Sequence, residues 1–158
     1  MAIIYVVDLS DNNRLKTLHQ VVNDTLTHDN FKVFHKSIWN DEDFNEIKSR
    51  SAGYDTVHIK EKIVMEPHTH TDNEDRLILA GIGHFFIPAG DLMFIIKATE
   101  GDFVSLQKDL VHWFSCKKGL VAARFFENEK SYKVVMKNIP HEIYRLKDDF
   151  EDLRNVQI

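Results

Sequence analysis

His68, His70, Glu74 and His112 are the residues whose types and spacing point to chemistry. They form a His-x-His-x3-Glu run and, 38 positions on, a histidine in Val111-His112-Trp113-Phe114. Three imidazoles and one carboxylate are the donor set a borderline divalent metal takes: imidazole suits iron, nickel, copper and zinc, and the carboxylate adds negative charge. Two histidines two residues apart on a strand share a face, although Pro67 interrupts the pattern just before them. Four protein donors on an octahedral ion leave two adjacent positions open, as in catalytic rather than structural sites. A plainer reading of 66–75 is an exposed acidic loop rich in histidine. It accounts for the loop but not for the glycines spaced around it.

Several neighbours have two readings each. Arg76 lies two after Glu74, on the same face once the strand has begun. There it either holds an anionic substrate oxygen by charge-assisted hydrogen bonds or pairs at the barrel rim with Asp72 or Asp75. Phe114 shares a face with His112 and lines the pocket beside the metal, or is simply a core phenylalanine. Arg124 interrupts the apolar run Val121-Ala122-Ala123-Arg124-Phe125-Phe126, so it either finds a partner inside or points outward. Cys116 reads as a small buried hydrophobe. His84 has no partner at ligand spacing and reads as structural. His19, His28, His35, His58 and His141 are scattered and read as ordinary surface or core residues.

These residues need a scaffold, and the chain supplies short strands. Ile3-Ile4-Tyr5-Val6-Val7 and Phe31-Lys32-Val33-Phe34 read as strands. Between them Leu15, Leu18, Val22 and Leu26 recur at three- and four-residue spacing, which predicts an amphipathic helix. Asn40 or Asp41 starts a second short helix, with Phe44 and Ile47 as its apolar contacts and Asp41, Glu42 and Asp43 in the first turn, where the helix dipole favours them. From Tyr54 onward apolar and polar residues alternate. Turns at Gly81, at Pro88-Ala89-Gly90-Asp91, at Gly101-Asp102 and at Lys117-Lys118-Gly119 punctuate the strands, which argues for a barrel or sandwich. Residues 147–157 read as a short helix or loose tail.

The 158 residues suffice for one domain with a single sizeable core. Apolar content of 43 % and charged content of 28 % are ordinary for a globular chain. A net charge of −5 argues against a nucleic-acid surface, which needs clustered Lys and Arg. The single cysteine excludes an internal disulfide and fits a reducing compartment. No apolar run is long enough to span a bilayer, and Ile3 to Val7 is too short for a signal peptide. The expectation is a cytoplasmic protein with no nucleic-acid or membrane partner, and a monomer.

The intervals fit two known motifs. Glu74 is followed by six residues and then Gly81, and Gly101 precedes His112 by eleven positions. They resemble G-x5-H-x-H-x3-4-E-x6-G and G-x5-P-x-G-x2-H-x3-N of the cupin superfamily, with every metal-ligand position filled. Lys62, Gln107, Asp109 and Cys116 stand where the first motif's glycine and the second motif's proline, glycine and asparagine would be. Within the cupins the chain resembles the acireductone dioxygenase family. His68-Thr69-His70-Thr71-Asp72-Asn73-Glu74-Asp75-Arg76, the turn Glu100-Gly101-Asp102, His112-Trp113-Phe114 and, more weakly, Ala123-Arg124-Phe125-Phe126-Glu127-Asn128 carry the likeness, over residues 31–138. The family commonly has glutamate directly before the first histidine. Here Pro67 stands there, with Glu66 one place earlier. Tyr132 takes the place of a family tryptophan.

The resemblance implies a mainly β cupin: an antiparallel β-barrel (double-stranded β-helix or jelly roll) with short peripheral N-terminal helices. The single domain, 1–158, divides into an N-terminal elaboration (1–53), a barrel core (54–138) and a C-terminal tail (139–158). The resemblance also implies one Fe(II) or Ni(II) per chain on His68, His70, Glu74 and His112, with Arg76 and Phe114 as catalytic residues. The implied reaction is O2-dependent cleavage of an acireductone, 1,2-dihydroxy-3-keto-5-methylthiopentene, in methionine salvage. Iron would give formate and the 2-keto acid precursor of methionine; nickel would give carbon monoxide, formate and a shorter acid. Glu66 is a candidate base. Two other readings stay open: a metal cupin for a different small substrate (another dioxygenase or an isomerase), and a non-catalytic binding cupin.

Overall fold

Alternating apolar and polar residues make strands here, and two sheets bury the apolar faces against each other. The structure, a computed structural model, describes residues 1–11, 14–22, 25–127 and 133–139. Along the chain run β1 (Ala2–Asp8), β2 (Arg14–Val21), β3 (Thr25–Thr27), β4 (Phe31–His35), α1 (Asp41–Ser49), β5 (Gly53–His58), β6 (Ile63–His70) and β7 (Glu74–Ala80). After them come β8 (Gly83–Ala89), β9 (Leu92–Ala98), β10 (Asp102–Leu106), β11 (His112–Cys116), β12 (Val121–Phe126) and β13 (Val134–Met136). One sheet has the order β13-β6-β11-β8-β9-β1-β2, the other β3-β4-β10-β7-β12-β5. Their ladders are antiparallel, the barrel architecture that the strand pattern predicts.

Period two sorts each strand between an inner and an outer face. Ile4, Phe85, Ile87, Ile96 and Phe114 from one sheet meet Val33, Ile78, Val104, Leu106 and Ala122 from the other in the inner core. The alternate residues Tyr5, Val7, Phe86, Met93, Ile95 and Trp113 form a second cluster on the other face of the seven-stranded sheet. Leu77, Ala123 and Phe125 form a third on the other face of the six-stranded sheet, beneath Trp39, Phe44 and Ile47.

The helix over 41–49 stands as the sequence predicts. Asn40 caps it in a capping box with Asp43, and Asp41, Glu42 and Asp43 occupy the first turn. The helix expected from Leu15 to Leu26 does not form: 14–21 and 25–27 are strands. β1 offers β2 a full antiparallel ladder, from Ala2↔Val21 to Asp8↔Arg14. A β-bulge opposite Val6 and Val7 carries the two buried apolar residues of β2 to different faces. Val21, opposite Ala2, joins the inner core, and Leu15, opposite Val7, joins the second cluster, while Leu18 and Val22 are exposed at 39 % and 48 %. Tertiary pairing thus overrides a weak helical period. The predicted tail over 147–157, His141 and Tyr132 lie outside the described residues.

Gly81 explains one motif interval. Its φ is +81°, and a Cβ there would stand 2.8 Å from both the Gly119 carbonyl oxygen and the Leu120 Cα. Only glycine allows this turn to pass so close to the next one. Asp109, in place of the motif's glycine, keeps the left-handed conformation at φ 65°, which aspartate tolerates far better than β-branched residues. Its amide also donates to the His70 carbonyl at 3.0 Å. Asp109→Val is therefore expected to destabilise the fold by about 1–2 kcal/mol and to weaken metal retention, whereas Asp109→Gly keeps both. Thermal melts and metal titrations of the two variants check this; equal behaviour would remove the conformational argument.

Candidate metal centre

Two sheets meet at the site. β6 brings His68 and His70 with period two, and β11 lays His112 directly opposite His68. Across the barrel β7 carries Glu74 and Arg76 on one face. All four candidate ligands are buried, at 1–2 % exposure. The ring centroids of His68, His70 and His112 lie 4.4–4.9 Å apart, and one nitrogen from each falls within 4.8 Å of the others. The Glu74 Oε2 atom sits 2.9 Å from His70 Nδ1 and 2.9 Å from His112 Nε2.

Backbone carbonyls aim two of the rings. His68 Nδ1 donates to the Glu66 carbonyl at 2.6 Å, and His112 Nδ1 to the Leu110 carbonyl at 2.9 Å. A carbonyl can only accept, so the proton is on Nδ1 and a neutral ring presents a bare lone pair at Nε2. For His112 that lone pair faces the Glu74 carboxylate, acceptor against acceptor, and only a proton or a cation between them resolves the opposition. Adjacent donors about 2.0–2.2 Å from an octahedral ion stand about 3 Å apart, so the 2.9 Å contact suits two ligands of one metal. The residues fit a divalent ion.

The electrostatics agree. Burial lowers the His68 pKa to about 4 and also lowers that of His70, so both rings are neutral donors at pH 7. Burial alone would push the Glu74 carboxyl up. The Arg76 guanidinium, with His112 and His70, outweighs it and holds Glu74 well below the usual carboxylate range. A stability prediction follows for the metal-free protein. His68 binds its proton near pH 6.5 when unfolded but only near pH 4 when folded, so the unfolded state holds more protons between those values. Metal-free stability is expected to fall as pH drops from 6.5 towards 4. Saturating metal, which keeps the folded rings unprotonated while the unfolded chain still takes up protons, should raise stability near neutrality and steepen that fall. Melting temperatures measured across this window with and without Ni(II) test it, and a shallower curve with Ni(II) would contradict it.

The other predicted residues also gather here. Arg76 is 9 % exposed, and its Nε contacts Glu74 Oε1. Its guanidinium stands 5.8 Å over the Phe114 ring, so Phe114 forms both inner wall and inner core. A Cβ on Gly83 would come within 2.7 Å of that ring; the missing side chain makes room for it. Arg124 lies opposite Arg76 on β12 and pairs with Asp55 at 2.7 and 2.5 Å. Cys116 is buried in the same inner core. The Glu66 side chain is exposed, out of line with His68 and His70, which corrects its candidacy as base.

Sequence reasoning missed the parts that brace the site. Asn73 accepts from the Lys108 amide at 2.8 Å and donates to Glu127, tying the turn between β6 and β7 to two distant segments. Its place inside the His-x-His-x3-Glu run was the one available signal. His35, read as ordinary, is buried against Asp102 at 2.7 Å. The carbonyls of Glu66 and Leu110 leave no trace in residue types at all.

The model of the ARD/ARD' family matches residues 6–133. Acireductone dioxygenase 1 of Pectobacterium atrosepticum is 34 % identical over 76 residues, 47 % of this chain and 43 % of that protein. Acireductone dioxygenase of Saccharopolyspora erythraea is 35 % identical over 75 residues, 46 % of this chain and 39 % of the relative. The chain thus spans less than half the length of these curated relatives. Among solved structures, an acireductone dioxygenase from Bacillus anthracis with a cadmium ion in its active centre superposes with a TM-score of 0.54. It is 20 % identical and covers 82 % of this chain and 95 % of its own. That likeness carries the fold: a cupin. No helix among the described residues is long and apolar enough to cross a membrane.

Proposed function

The chain belongs to the ARD/ARD' family, and on that premise we propose that it is a metal-dependent dioxygenase. It cleaves an acireductone, 1,2-dihydroxy-3-keto-5-methylthiopentene, with O2 in methionine salvage. The observation that carries the reading is the buried gathering of one ring nitrogen each from His68, His70 and His112 within 4.8 Å of one another, with Glu74 Oε2 2.9 Å from both His112 Nε2 and His70 Nδ1. Such a site is built for a cation, and we assign it one Fe(II) or Ni(II) on His68, His70, Glu74 and His112, within a single cupin domain. A divalent ion there supplies Lewis acidity and a template for the two enediol oxygens.

The protein's own groups do the rest. Glu74 and the two carbonyl-braced imidazoles fix donor directions in advance. Arg76 holds Glu74 through Oε1 and places positive charge beside the bound enediolate, where a charge-assisted hydrogen bond contributes about 1.5–3 kcal/mol. Phe114 gives the methylthio tail an apolar wall, and the strands around it keep bulk water from the reacting carbons. The proposed partners are this substrate and O2, with the protein acting in the cytoplasm as a monomer.

Product analysis tests the assignment. The iron-loaded protein is expected to release formate and a 2-keto acid, and the nickel-loaded protein carbon monoxide with formate and a shorter acid. Metal bound but acireductone untouched by either form would instead favour a cupin for another substrate.

A further inference from the structure

A cavity lies on the outer face of the sheet that carries Glu74. Between α1 and the strands β4, β10 and β7 is a cleft of about 620 Å³, within the 300–1,000 Å³ of small-molecule sites. Period two puts Asp75 in this cleft because Glu74 faces the barrel interior. Phe34, Trp39 and Phe103 form its aromatic wall, with ring centroids 5.7 Å apart for Phe34 and Trp39 and 6.3 Å for Trp39 and Phe103.

Two observations say what chemistry suits it. The half-buried Asp75 carboxylate accepts one hydrogen bond, from the Ser105 hydroxyl at 2.6 Å, although a carboxylate has room for about four. The wall already takes an ammonium: Lys36 Nζ stands 5.9 Å over the Trp39 ring. Lys36 is itself neutralised by Asp43 at 2.6 Å. With that pair set aside, Asp75, Glu46 and Glu127 face Lys32 and Arg50, so the lining keeps an excess of negative charge.

We propose that this cleft is a binding site for a small organic ammonium ion, a primary amine on an apolar, arylalkyl-sized body. The ammonium is held by Asp75, and the body lies against Phe34, Trp39 and Phe103. The site is separate from the metal centre and independent of the activity assigned to it. β7 links the two back to back through the adjacent residues Glu74 and Asp75.

Three probes that share one body test the proposal on the full-length, metal-loaded protein: 2-phenylethylamine, 2-phenylethanol and 3-phenylpropionate, each titrated by calorimetry at pH 7. The amine is expected to bind at least about tenfold more tightly than the alcohol, and the carboxylate more weakly still. Asp75→Asn, which still offers Ser105 an acceptor, should abolish the preference for the amine. In wild type, nuclear Overhauser contacts should run from the amine's methylenes to the ring protons of Trp39 and Phe103, which locates the ligand without relying on any variant. Equal binding of all three probes, no binding at millimolar concentration, a preference that survives Asp75→Asn, or contacts confined to other residues would each overturn it.

Discussion

His112→Ala is expected to cut metal affinity by well over the 10–100-fold typical of losing a residue that merely supports a ligand. His112 is the distant member of the quartet, held by β11 opposite His68, and it shares a 2.9 Å contact with Glu74. Removing it deletes one of four donors and leaves the carboxylate facing a void. His68→Ala, His70→Ala and Glu74→Ala should act alike. Elemental analysis of each purified variant decides the matter, because wild type should carry one divalent ion per chain. Full occupancy in His112→Ala would remove the distant histidine from the site.

Arg76→Ala should separate binding from chemistry. Its contact is with Glu74 Oε1, while Oε2 is the atom directed at His70 and His112. Metal is therefore expected to remain, and turnover to fall by about tenfold to a hundredfold, the worth of one charge-assisted hydrogen bond expressed in the transition state. The metal-free variant should also lose about 3–5 kcal/mol of stability, since a buried carboxylate is left without its counter-charge. Bound metal supplies that charge and should restore much of the loss. Wild-type turnover with metal in place would contradict the assignment of Arg76 to the reaction.

The sequence made the site more legible than its surroundings. His68, His70, Glu74 and His112 were readable as a set through the motif resemblance, since Pro67 interrupts the alternation before the two histidines and the four stand on three strands. Arg76 followed from Glu74, and Phe114 from His112, by period two. The Arg76–Glu74 contact was not readable: an arginine within four residues of three carboxylates has several geometrically open partners, and the inward face it shares with Glu74 brings those two together. Leu15 to Leu26 misled because an apolar period that fits a helix also fits a strand with a shifted register, and the open edge of β1 decides between them. Asp109 reads as a lost motif residue, yet its backbone keeps the glycine-like conformation. The carbonyls of Glu66 and Leu110 act through backbone atoms, which residue identity does not encode.

The central claim is that this buried quartet holds a metal that turns an acireductone over with O2, and oxygen uptake tests it most directly. Metal-free protein, protein loaded with Fe(II) and protein loaded with Ni(II) are each mixed with anaerobically generated acireductone, and consumption is then followed on an oxygen electrode. The account predicts uptake well above the uncatalysed rate for both loaded forms, none above it for the metal-free protein, and loss of the signal in His112→Ala. Uptake at the background rate by both loaded forms, with metal confirmed in place, would contradict it.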